Sequence, residues 1–499
     1  MPAPSKTVSA FTDDALGLDD ATALAERLRR RQVSVREVTE AAIARAERVD
    51  PNLHAIVARN HKQALATATR LDQRPPPADA PFFLGVPTYI KDNLDLAGLP
   101  TRHGSAAVPP HPARDSSPFV RQMLAQGFLC LGKSSLPEFG FNATTEPAHA
   151  PPTRNPWHLD YSTGASSGGS AALVAAGVVP VAHANDGGGS IRIPAACCGL
   201  VGLKASRGRL VDNEANAALP IAIIADGIVS RTVRDTAQFL AQAERSYRNP
   251  ALPPVGTVLG PPRRTLRIGL VIDSINGHRT DDVTRAAVER TARQLERLGH
   301  RLEPMAVPVP SSFPEDFALY WAMLAFGVRA RGRTLLAPDF DKHRVDGLTL
   351  GLDRRFRANF WRLPAALWRL RHSRVTYARA MAGFDAVLTP VLGHVTPPLG
   401  YLAPTLPFDT LFERLTRYVG FTPLANATGA PAIALPASLT DDRLPVAIQF
   451  MAPHGGERTL LELAYALEAD VPWPSLWATG GETGHRSPGR AEPAHGDGG

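Results

Sequence analysis

Apolar positions along this chain recur with two patterns, a helical spacing and short continuous runs of the kind found in buried strands. Helical spacing predicts helices over residues 22–49, 120–125, 170–177, 281–298 and 458–468. Ser34 precedes Val35 and Glu37 in the pattern of a helix N-cap, which predicts a helix start at that point. Apolar runs predict strands over residues 84–90, 128–131, 178–182, 267–272, 386–389, 432–435 and 446–450.

The predicted strands and helices alternate along most of the chain. Such alternation predicts the α/β class, with a mixed and mostly buried β-sheet. We expect a single large domain over residues 15–478, preceded by an N-terminal tail (1–14). Residues 479–499 lack an apolar pattern and are expected to form a disordered tail.

The composition is that of a globular protein, since 44% of the 499 residues are hydrophobic and 20% are charged. Cysteine occurs only at positions 130, 197 and 198, an odd and sparse set that is not a disulfide framework. A reducing compartment is therefore expected. No secretory signal and no apolar run of roughly 18 residues is visible. We expect a cytoplasmic protein with no membrane partner.

The formal net charge is +7, and its excess is spread along the chain apart from a concentration of arginines from Arg354 to Arg374. These arginines alternate with Phe, Trp and Leu at roughly helical spacing. We interpret the stretch as the solvated face of an amphipathic helix, with a lid or a surface for an acidic partner as the alternative. The diffuse charge elsewhere predicts no nucleic-acid partner.

Two short patterns match well-known signatures without their structural context. Residues 127–134 match the phosphate-loop spacing G-x-x-x-x-G-K-S, but the four middle residues are apolar, so we expect them to be buried in a sheet. Residues 164–168 match the nucleophile elbow G-x-S-x-G, but residues 155–161 before them look like a loop instead of a strand. No motif marks His183 or His394 as a catalytic base. A Ser–His esterase nevertheless stays open as an alternative.

Two loops rich in serine and glycine carry the strongest chemical signal. They occupy residues 163–172 and 185–196 and flank one short apolar element. A serine hydroxyl is a weak nucleophile until a neighbouring base and backbone N–H donors assist it. Glycine lets the backbone approach a substrate closely. The two loops therefore predict a serine-type acyl-transfer enzyme.

Lys91 is the candidate base for such a serine. It follows an apolar run (82–90) and lies at the end of a predicted strand. Burial disfavours the charged form of an ammonium group and lowers its pKa, so a buried Lys91 can accept a proton from a serine.

Several segments resemble the amidase signature family. The main matches are Gly-Val-Pro-Thr-Tyr-Ile-Lys-Asp-Asn (85–93), Ser-Ser-Gly-Gly-Ser (166–170) and Asp-Gly-Gly-Gly-Ser-Ile-Arg-Ile-Pro (186–194). Further matches lie at 31–51, 131–139, 198–204 and 444–450, so the resemblance extends over residues 15–470, with its core at 84–204. It implies one α/β domain whose mixed sheet is covered by helices on both faces.

The resemblance also implies a Ser–Ser–Lys triad. Ser190 corresponds to the nucleophile, Lys91 to the general base, and Ser166 to a relay serine that the family holds on a cis peptide bond. The backbone N–H groups of an oxyanion hole would come from Gly187, Gly188, Gly189 and Ser190.

Ser167 and Asp186 are implied to support these groups through hydrogen bonds. The chain departs from the family's pattern at Gly187, where the family usually has Thr, and at Ala165, where it usually has Gly. Neither change removes a catalytic atom. Gly187 removes a side chain beside the predicted oxyanion loop and could leave space for a bulkier substrate.

The function implied is hydrolysis of C–N bonds in secondary amides, anilides or carbamates (urethanes) through an acyl-enzyme on Ser190. The chain looks nearest to the branch that includes hydrolases of nylon-oligomer cyclic amides, relatives of which cleave aryl amides and carbamates. We expect an amidase with possible urethanase or aryl acylamidase activity, acting as a monomer or homodimer without cofactor or metal. An amidotransferase subunit that works with a partner chain is the alternative within the family.

Two segments are candidate walls of the substrate pocket. Residues 213–226 are rich in Ala, Ile and Leu. A mobile helical cap is expected at about 313–375, and Trp321, Phe326, Phe360 and Trp361 are its candidate aromatic residues, with packing in the core as the alternative for each.

Overall fold

The computed structural model describes residues 6–73, 77, 79–306 and 309–476, without the side chains of residues 214–215. The predicted disordered tail (479–499) lies outside the described residues. The helices in chain order are α1 (Ala21–Arg29), α2 (Val35–Leu53), α3 (His61–Asp72), α4 (Pro118–Ala125), α5 (Gly168–Ala175), α6 (Arg192–Cys198), α7 (Glu214–Ala217), α8 (Val233–Ser246), α9 (Asp282–Arg297), α10 (Phe313–Leu335), α11 (Gly347–Asn359), α12 (Leu363–Ala380), α13 (Phe408–Tyr418), α14 (Pro423–Thr428) and α15 (Glu457–Asp470). Short 3-10 turns occupy Glu138–Gly140 and Phe360–Arg362.

The strands are β1 (Ile56–Arg59), β2 (Pro87–Lys91), β3 (Leu129–Ser134), β4 (Arg154–Asn155), β5 (His158–Ser162), β6 (Val181–Asp186), β7 (Val201–Lys204), β8 (Ala225–Ser230), β9 (Arg267–Leu270), β10 (Arg301–Pro304), β11 (Ala386–Pro390), β12 (Ala432–Leu439) and β13 (Pro445–Met451). Eight of them form one sheet in the order β10-β9-β11-β13-β12-β7-β8-β6. β10, β9 and β11 run parallel, and the remaining neighbours pair antiparallel.

Helices cover the large sheet. α6 and α9 pack against β13, α15 packs against β12, and α8 packs against β7 and β8. β6, β11 and β13 are buried along their whole length. The predicted α/β class with a mixed, buried sheet is confirmed.

β2, which ends at Lys91, belongs to a separate three-stranded sheet in the order β1-β3-β2. This small sheet lies against β6 of the large sheet, where Thr88 Oγ1 donates a hydrogen bond to the carbonyl oxygen of Val181 at 3.0 Å. The β2–β6 contact brings Lys91 beside the chain that leads into the second serine–glycine loop.

Local predictions are borne out at one point and corrected at another. The helical spacing predicted over 22–49 is divided between α1 and α2, because the chain turns at Arg31 (φ 55°) and a new helix starts after Ser34. The predicted N-cap is confirmed, with Ser34 and Glu37 forming a reciprocal capping box. The prediction of a loop over 155–161 is wrong in its second half, since β5 pairs with β4 there. As predicted, the residues of the false phosphate loop form a buried strand, β3.

The described part of the predicted N-terminal tail is tied to the domain. Residues 6–14 form no helix or strand, but the N–H of Ala10 donates to the carbonyl oxygen of Ala176 at 2.6 Å, and Ala10 is buried. The buried guanidinium of Arg45 binds the Asp14 carboxylate at 2.6 Å. No helix within the described ranges is long and apolar enough to cross a bilayer.

Candidate active site

Lys91 is fully buried at the end of β2. Its Nζ atom lies 2.7 Å from Ser166 Oγ and 2.6 Å from Asn185 Oδ1. Its backbone N–H donates to Nδ1 of His183 at 3.1 Å. The side chain is therefore held at both ends and directed at a serine.

Burial lowers the pKa of Lys91 to about 7, and the negative charges of Asp226 and Asp186 oppose that shift. A lysine with this pKa is present in substantial part as the neutral amine near pH 7. It can then act as a hydrogen-bond acceptor and as a base.

Ser166 stands between Lys91 and Ser190. Its hydroxyl accepts the bond from Lys91, and its backbone N–H donates to Ser190 Oγ at 3.2 Å. No hydrogen bond among the described residues joins the two hydroxyls directly. The structure thus brings all three predicted triad residues together, with the link to Ser190 made by the backbone of Ser166.

The cis peptide bond predicted at Ser166 is wrong for this structure, because every peptide bond of the described residues is trans. A non-proline cis bond costs about 3 kcal/mol, and here the loop turns without one. The turn is made at Gly164, which has φ 81° and would place a Cβ atom 2.9 Å from Cys197 Sγ.

Asp186 organises the loop that carries Ser190. Its buried carboxylate pairs with Arg192 at 2.8 Å and accepts the N–H groups of Gly189 at 2.7 Å and Ile191 at 3.2 Å. Burial acts to raise the pKa of Asp186, but the charge and hydrogen bonds of Arg192, with Asn426, outweigh it and lower the pKa to about 2. Asp186 is therefore ionised at any working pH and keeps the loop closed around it.

This arrangement removes one predicted oxyanion donor. The Gly189 N–H is already bonded to Asp186, so it is not available to a substrate oxygen. Gly189 has φ 136°, and a Cβ atom there would lie 2.4 Å from Thr422 Oγ1, so the position requires glycine. The N–H groups of Gly187, Gly188 and Ser190 have no acceptor among the described residues.

Ser167 acts on Asn185 and not on the reacting groups. Its hydroxyl lies 3.2 Å from the carbonyl oxygen of Asn185 and 3.3 Å from its backbone nitrogen. Asn185 in turn accepts the bond from Lys91 Nζ. Ser167 is thus linked to Lys91 only through Asn185, a residue that was not predicted although it adjoins Asp186.

His183 is not placed to serve as the base of an esterase. It is fully buried beneath Lys91, and its Nδ1 accepts the Lys91 N–H. Its proton therefore lies on Nε2, which faces Asp226 Oδ1 at 3.3 Å. His394 Nδ1 lies 2.8 Å from the carbonyl oxygen of Val395. No histidine among the described residues lines the cavity at Ser190.

The cavity at Ser190 has a volume of about 200 Å³. Ser166, Ser190, Gly187 and Gly188 line one side of it. The remaining wall is mostly apolar and comprises, among others, Phe139, Phe141, Ile223, Ile224, Ile275, Phe313, Phe317, Trp321, Leu324, Leu415, Val419, Phe421 and Leu424. Its polar members within the described chain are neutral, namely Asn93, Asn142, Asn185, Asn276 and Thr416.

Both predicted wall segments contribute to this cavity. Ile223 and Ile224 come from the segment 213–226, and Trp321 comes from the predicted helical cap, where α10, α11 and most of α12 are found. The other three aromatic candidates do not reach the cavity. Phe326 packs against Phe356, with ring centroids 4.8 Å apart, and Phe360 and Trp361 are exposed.

Residues distant in sequence complete the site. Arg192 donates to Gln449 Oε1 at 2.7 Å and Asn426 Oδ1 at 2.8 Å, and Asn426 Nδ2 donates to Asp186. Arg192 and Gln449 fall within segments that resemble the family, and this resemblance is the signal in the sequence that could have marked them as site residues. Asn426 carries no local pattern that marks it.

The fold and this cluster of a buried lysine and two serines beside a glycine-rich loop define a hydrolase of the amidase class. A family model described as Amidase matches residues 37–461. The chain belongs to the amidase signature family, as its motifs predicted, and it is a hydrolase of C–N amide bonds.

Known proteins resemble this chain over nearly its whole length. AmiC of Mycobacterium leprae, which is named as an amidase, is 49% identical over 470 residues that cover 94% of this chain and 98% of the relative. A solved structure of 6-aminohexanoate cyclic dimer hydrolase with substrate is 29% identical, with a TM-score of 0.81 over 92% of this chain and 98% of that one. A bacterial aryl acylamidase of the amidase signature family is 26% identical, with a TM-score of 0.78 over 91% and 96%.

Proposed function

We propose that this amidase cleaves neutral, apolar secondary amides, anilides or carbamates through an acyl-enzyme on Ser190. The observation that carries the proposal is the row Lys91–Ser166–Ser190, which ends at a cavity whose described lining holds no charged side chain. The relatives named for cyclic amide and aryl amide substrates support the same class.

In the proposed mechanism, Ser190 Oγ attacks the substrate carbonyl carbon. Its proton passes to Ser166 Oγ while Ser166 gives its own proton to neutral Lys91. The two hydroxyls are expected to meet in the substrate complex, where catalytic hydrogen bonds tighten. The C–N bond then breaks, the departing amine takes a proton back through the relay, and water releases the acyl group by the same path.

The oxyanion of the tetrahedral intermediate would be stabilised by the N–H groups of Gly187, Gly188 and Ser190. Donors fixed in advance are effective because they need no reorganisation during the reaction. Asp186 supplies that rigidity by holding Gly189 and Ile191 on either side of Ser190.

The lining of the cavity argues for neutral substrates. A charged substrate group would lose its water there without gaining a partner of opposite charge, which is costly. At Gly187 the atom nearest to a would-be Cβ is Ile224 Cγ1 at 3.5 Å, so this position leaves room beside the oxyanion donors. An aryl or branched alkyl group fits such a wall.

The pH dependence of kcat/KM is expected to report Lys91. Because the base must be neutral, activity should rise with pH through about 7, the pKa that burial gives Lys91, and level off above it. Rates measured from pH 5 to 10 on an uncharged anilide would test this, since that substrate does not itself titrate. A rate that falls as pH rises through 7 would contradict a lysine base.

Substrate charge provides the direct test of the proposed class. Hexananilide and the anilide of 6-aminohexanoic acid have the same acyl chain, but only the second carries an ammonium group. We expect kcat/KM to be at least about 100-fold higher for hexananilide, since burying an unpaired charge is costly. Equal or reversed preference would contradict an apolar substrate site.

Inactivity on all anilides and carbamates, with activity gained from a partner chain and glutamine, would favour the amidotransferase alternative.

A further inference from the structure

The positive charge of this protein is concentrated on one part of the cap. Residues 354–384 contain eight arginines and no Asp or Glu, whereas the whole chain has a net charge of +7. The rest of the chain is therefore close to neutral. This stretch comprises the end of α11 (354–359), the 3-10 turn Phe360–Arg362 and α12, with four residues beyond it.

Three large aromatic side chains are exposed in the same stretch. Phe360, Trp361 and Trp368 are 58%, 65% and 61% exposed. None of them lines the cavity at Ser190. Side chains of this size are ordinarily well covered in a folded protein, and a cluster of exposed ones marks a surface that contacts something else.

The register of α12 shows that its outer face is apolar as well as its inner face. The inner face buries Ala366, Leu370, Ser373 and Tyr377. The outer face presents Ala365, Trp368, His372 and Val375, and Trp361 of the preceding 3-10 turn comes four residues before the first of them; all five are exposed and follow one another every three or four residues. A helix face that contacts only water would be polar. The exposed face of this helix, predicted from the sequence to be solvated, therefore also carries an apolar stripe.

Free cations border this aromatic stripe. At about 100° per residue, Arg362 and Arg371 lie on opposite sides of the stripe, and Arg379 continues it. Arg362, Arg374 and Arg379 form no ion pair among the described residues, in contrast to Arg369, which pairs with Asp316 at 2.5 Å. The surface therefore offers both apolar rings and uncompensated positive charge.

We propose that this face of α12 binds the surface of an anionic lipid bilayer. Tryptophan and phenylalanine rings are favoured at the depth of the lipid headgroups, and arginines beside them pair with lipid phosphates. The positive charge complements an anionic leaflet. A nucleic acid would also attract the arginines, but it would not account for an apolar stripe that runs along the helix axis.

The outer face of α12 and the substrate cavity belong to the same group of helices. α12 packs against α10, and α10 supplies Phe313, Phe317 and Trp321 to the cavity wall. An enzyme for apolar substrates gains from this placement because such substrates concentrate in bilayers. This benefit of bilayer binding rests on the proposed function. The proposal that α12 binds a bilayer does not rest on it.

Vesicle flotation with the full chain tests the proposal. We expect at least tenfold stronger binding to phosphatidylcholine vesicles containing about 30% phosphatidylserine than to pure phosphatidylcholine, weakened at about 0.5 M salt. W361S/W368S and R362Q/R379Q should each lower binding at least tenfold. L259S, at another exposed apolar residue, and R293Q/R297Q, with the same charge change on α9, should alter it less than twofold.

Each variant should hydrolyse a soluble anilide at the rate of the unchanged chain, because none of the altered residues lines the cavity, and this shows that the fold is intact. The proposal is overturned if the chain does not bind anionic vesicles or if W361S/W368S binds them as tightly as the unchanged chain does. Tighter binding to a DNA duplex than to vesicles would overturn it too. A W361S/W368S variant that turns a dimer into a monomer without affecting vesicle binding would assign the face to a second copy of the chain.

Discussion

Replacing Ser190 with alanine is expected to lower kcat about 10⁴-fold or more while leaving the fold intact. The proposed reaction forms its covalent bond at Ser190 Oγ, and catalytic groups that act as a unit lose nearly all of their effect when one is removed. The hydroxyl accepts only one hydrogen bond among the described residues, from the Ser166 N–H, so its loss costs little stability. Steady-state hydrolysis of hexananilide would give the ratio, with far-UV circular dichroism as a check on folding.

Ser170 offers a matched control for this substitution. It is buried near the same loops, and its hydroxyl bonds to Ser134 Oγ and to the carbonyl oxygen of His183 at 2.6 Å, but it does not line the cavity. Ser170→Ala should stay within about tenfold of the unchanged enzyme, since it loses structural hydrogen bonds only. If Ser190→Ala kept a comparable rate, the nucleophile would be a different residue.

Replacing Lys91 with methionine is expected to lower kcat by roughly 10³-fold, within the range that a general base contributes. Methionine keeps an unbranched chain of similar length in the buried position but cannot take a proton. The remaining activity should also lose its rise through pH 7, because the group responsible for that rise has been removed. Rates of hexananilide hydrolysis across the pH range would show both effects.

Lys204 is the matched control for Lys91. It is fully buried, and burial lowers its pKa to about 7 as well, but its Nζ donates to the carbonyl oxygen of Ala205 and not to a serine. Lys204→Met should therefore stay within about tenfold in kcat and keep the normal pH profile. A pH profile of activity that changed in Lys204→Met but not in Lys91→Met would show that Lys91 is not the base.

Much of the fold follows from local sequence patterns. α9 and α15 have clear helical periodicity, and both were predicted to within a residue or two at each end. α8 was missed even though Thr232 caps its first turn. The order of strands in the large sheet was not predicted, because pairs such as β6 with β8 depend on contacts that are distant in sequence.

The candidate site likewise has features that local motifs predict and features that only the structure shows. Lys91, Ser166 and Ser190 lie in short motifs, and the structure brings them together as the sequence analysis predicted. The motifs specify residue types and not backbone dihedral angles or hydrogen-bond directions. The trans peptide at Ser166 and the bond from Gly189 to Asp186 could therefore be learned only from the structure. Asn426 contributes through a fold contact for which the sequence gives no local signal.

Capture of the acyl-enzyme tests the assignment of Ser190 as the nucleophile most directly. An O-aryl carbamate is the suitable probe, because its aryl alcohol leaves more readily than its amine. Attack by Ser190 would break the carbonyl C–O bond, release the aryl alcohol with a proton from the relay, and leave a carbamoyl group that deacylates slowly. The reaction would be quenched within one turnover and the peptides analysed by mass spectrometry. We expect a carbamoyl mass increase on the peptide containing Ser190, absent in Ser190→Ala and formed far more slowly in Lys91→Met. A carbamoyl group on another residue, or release of the aryl alcohol without any adduct on Ser190, would contradict that assignment.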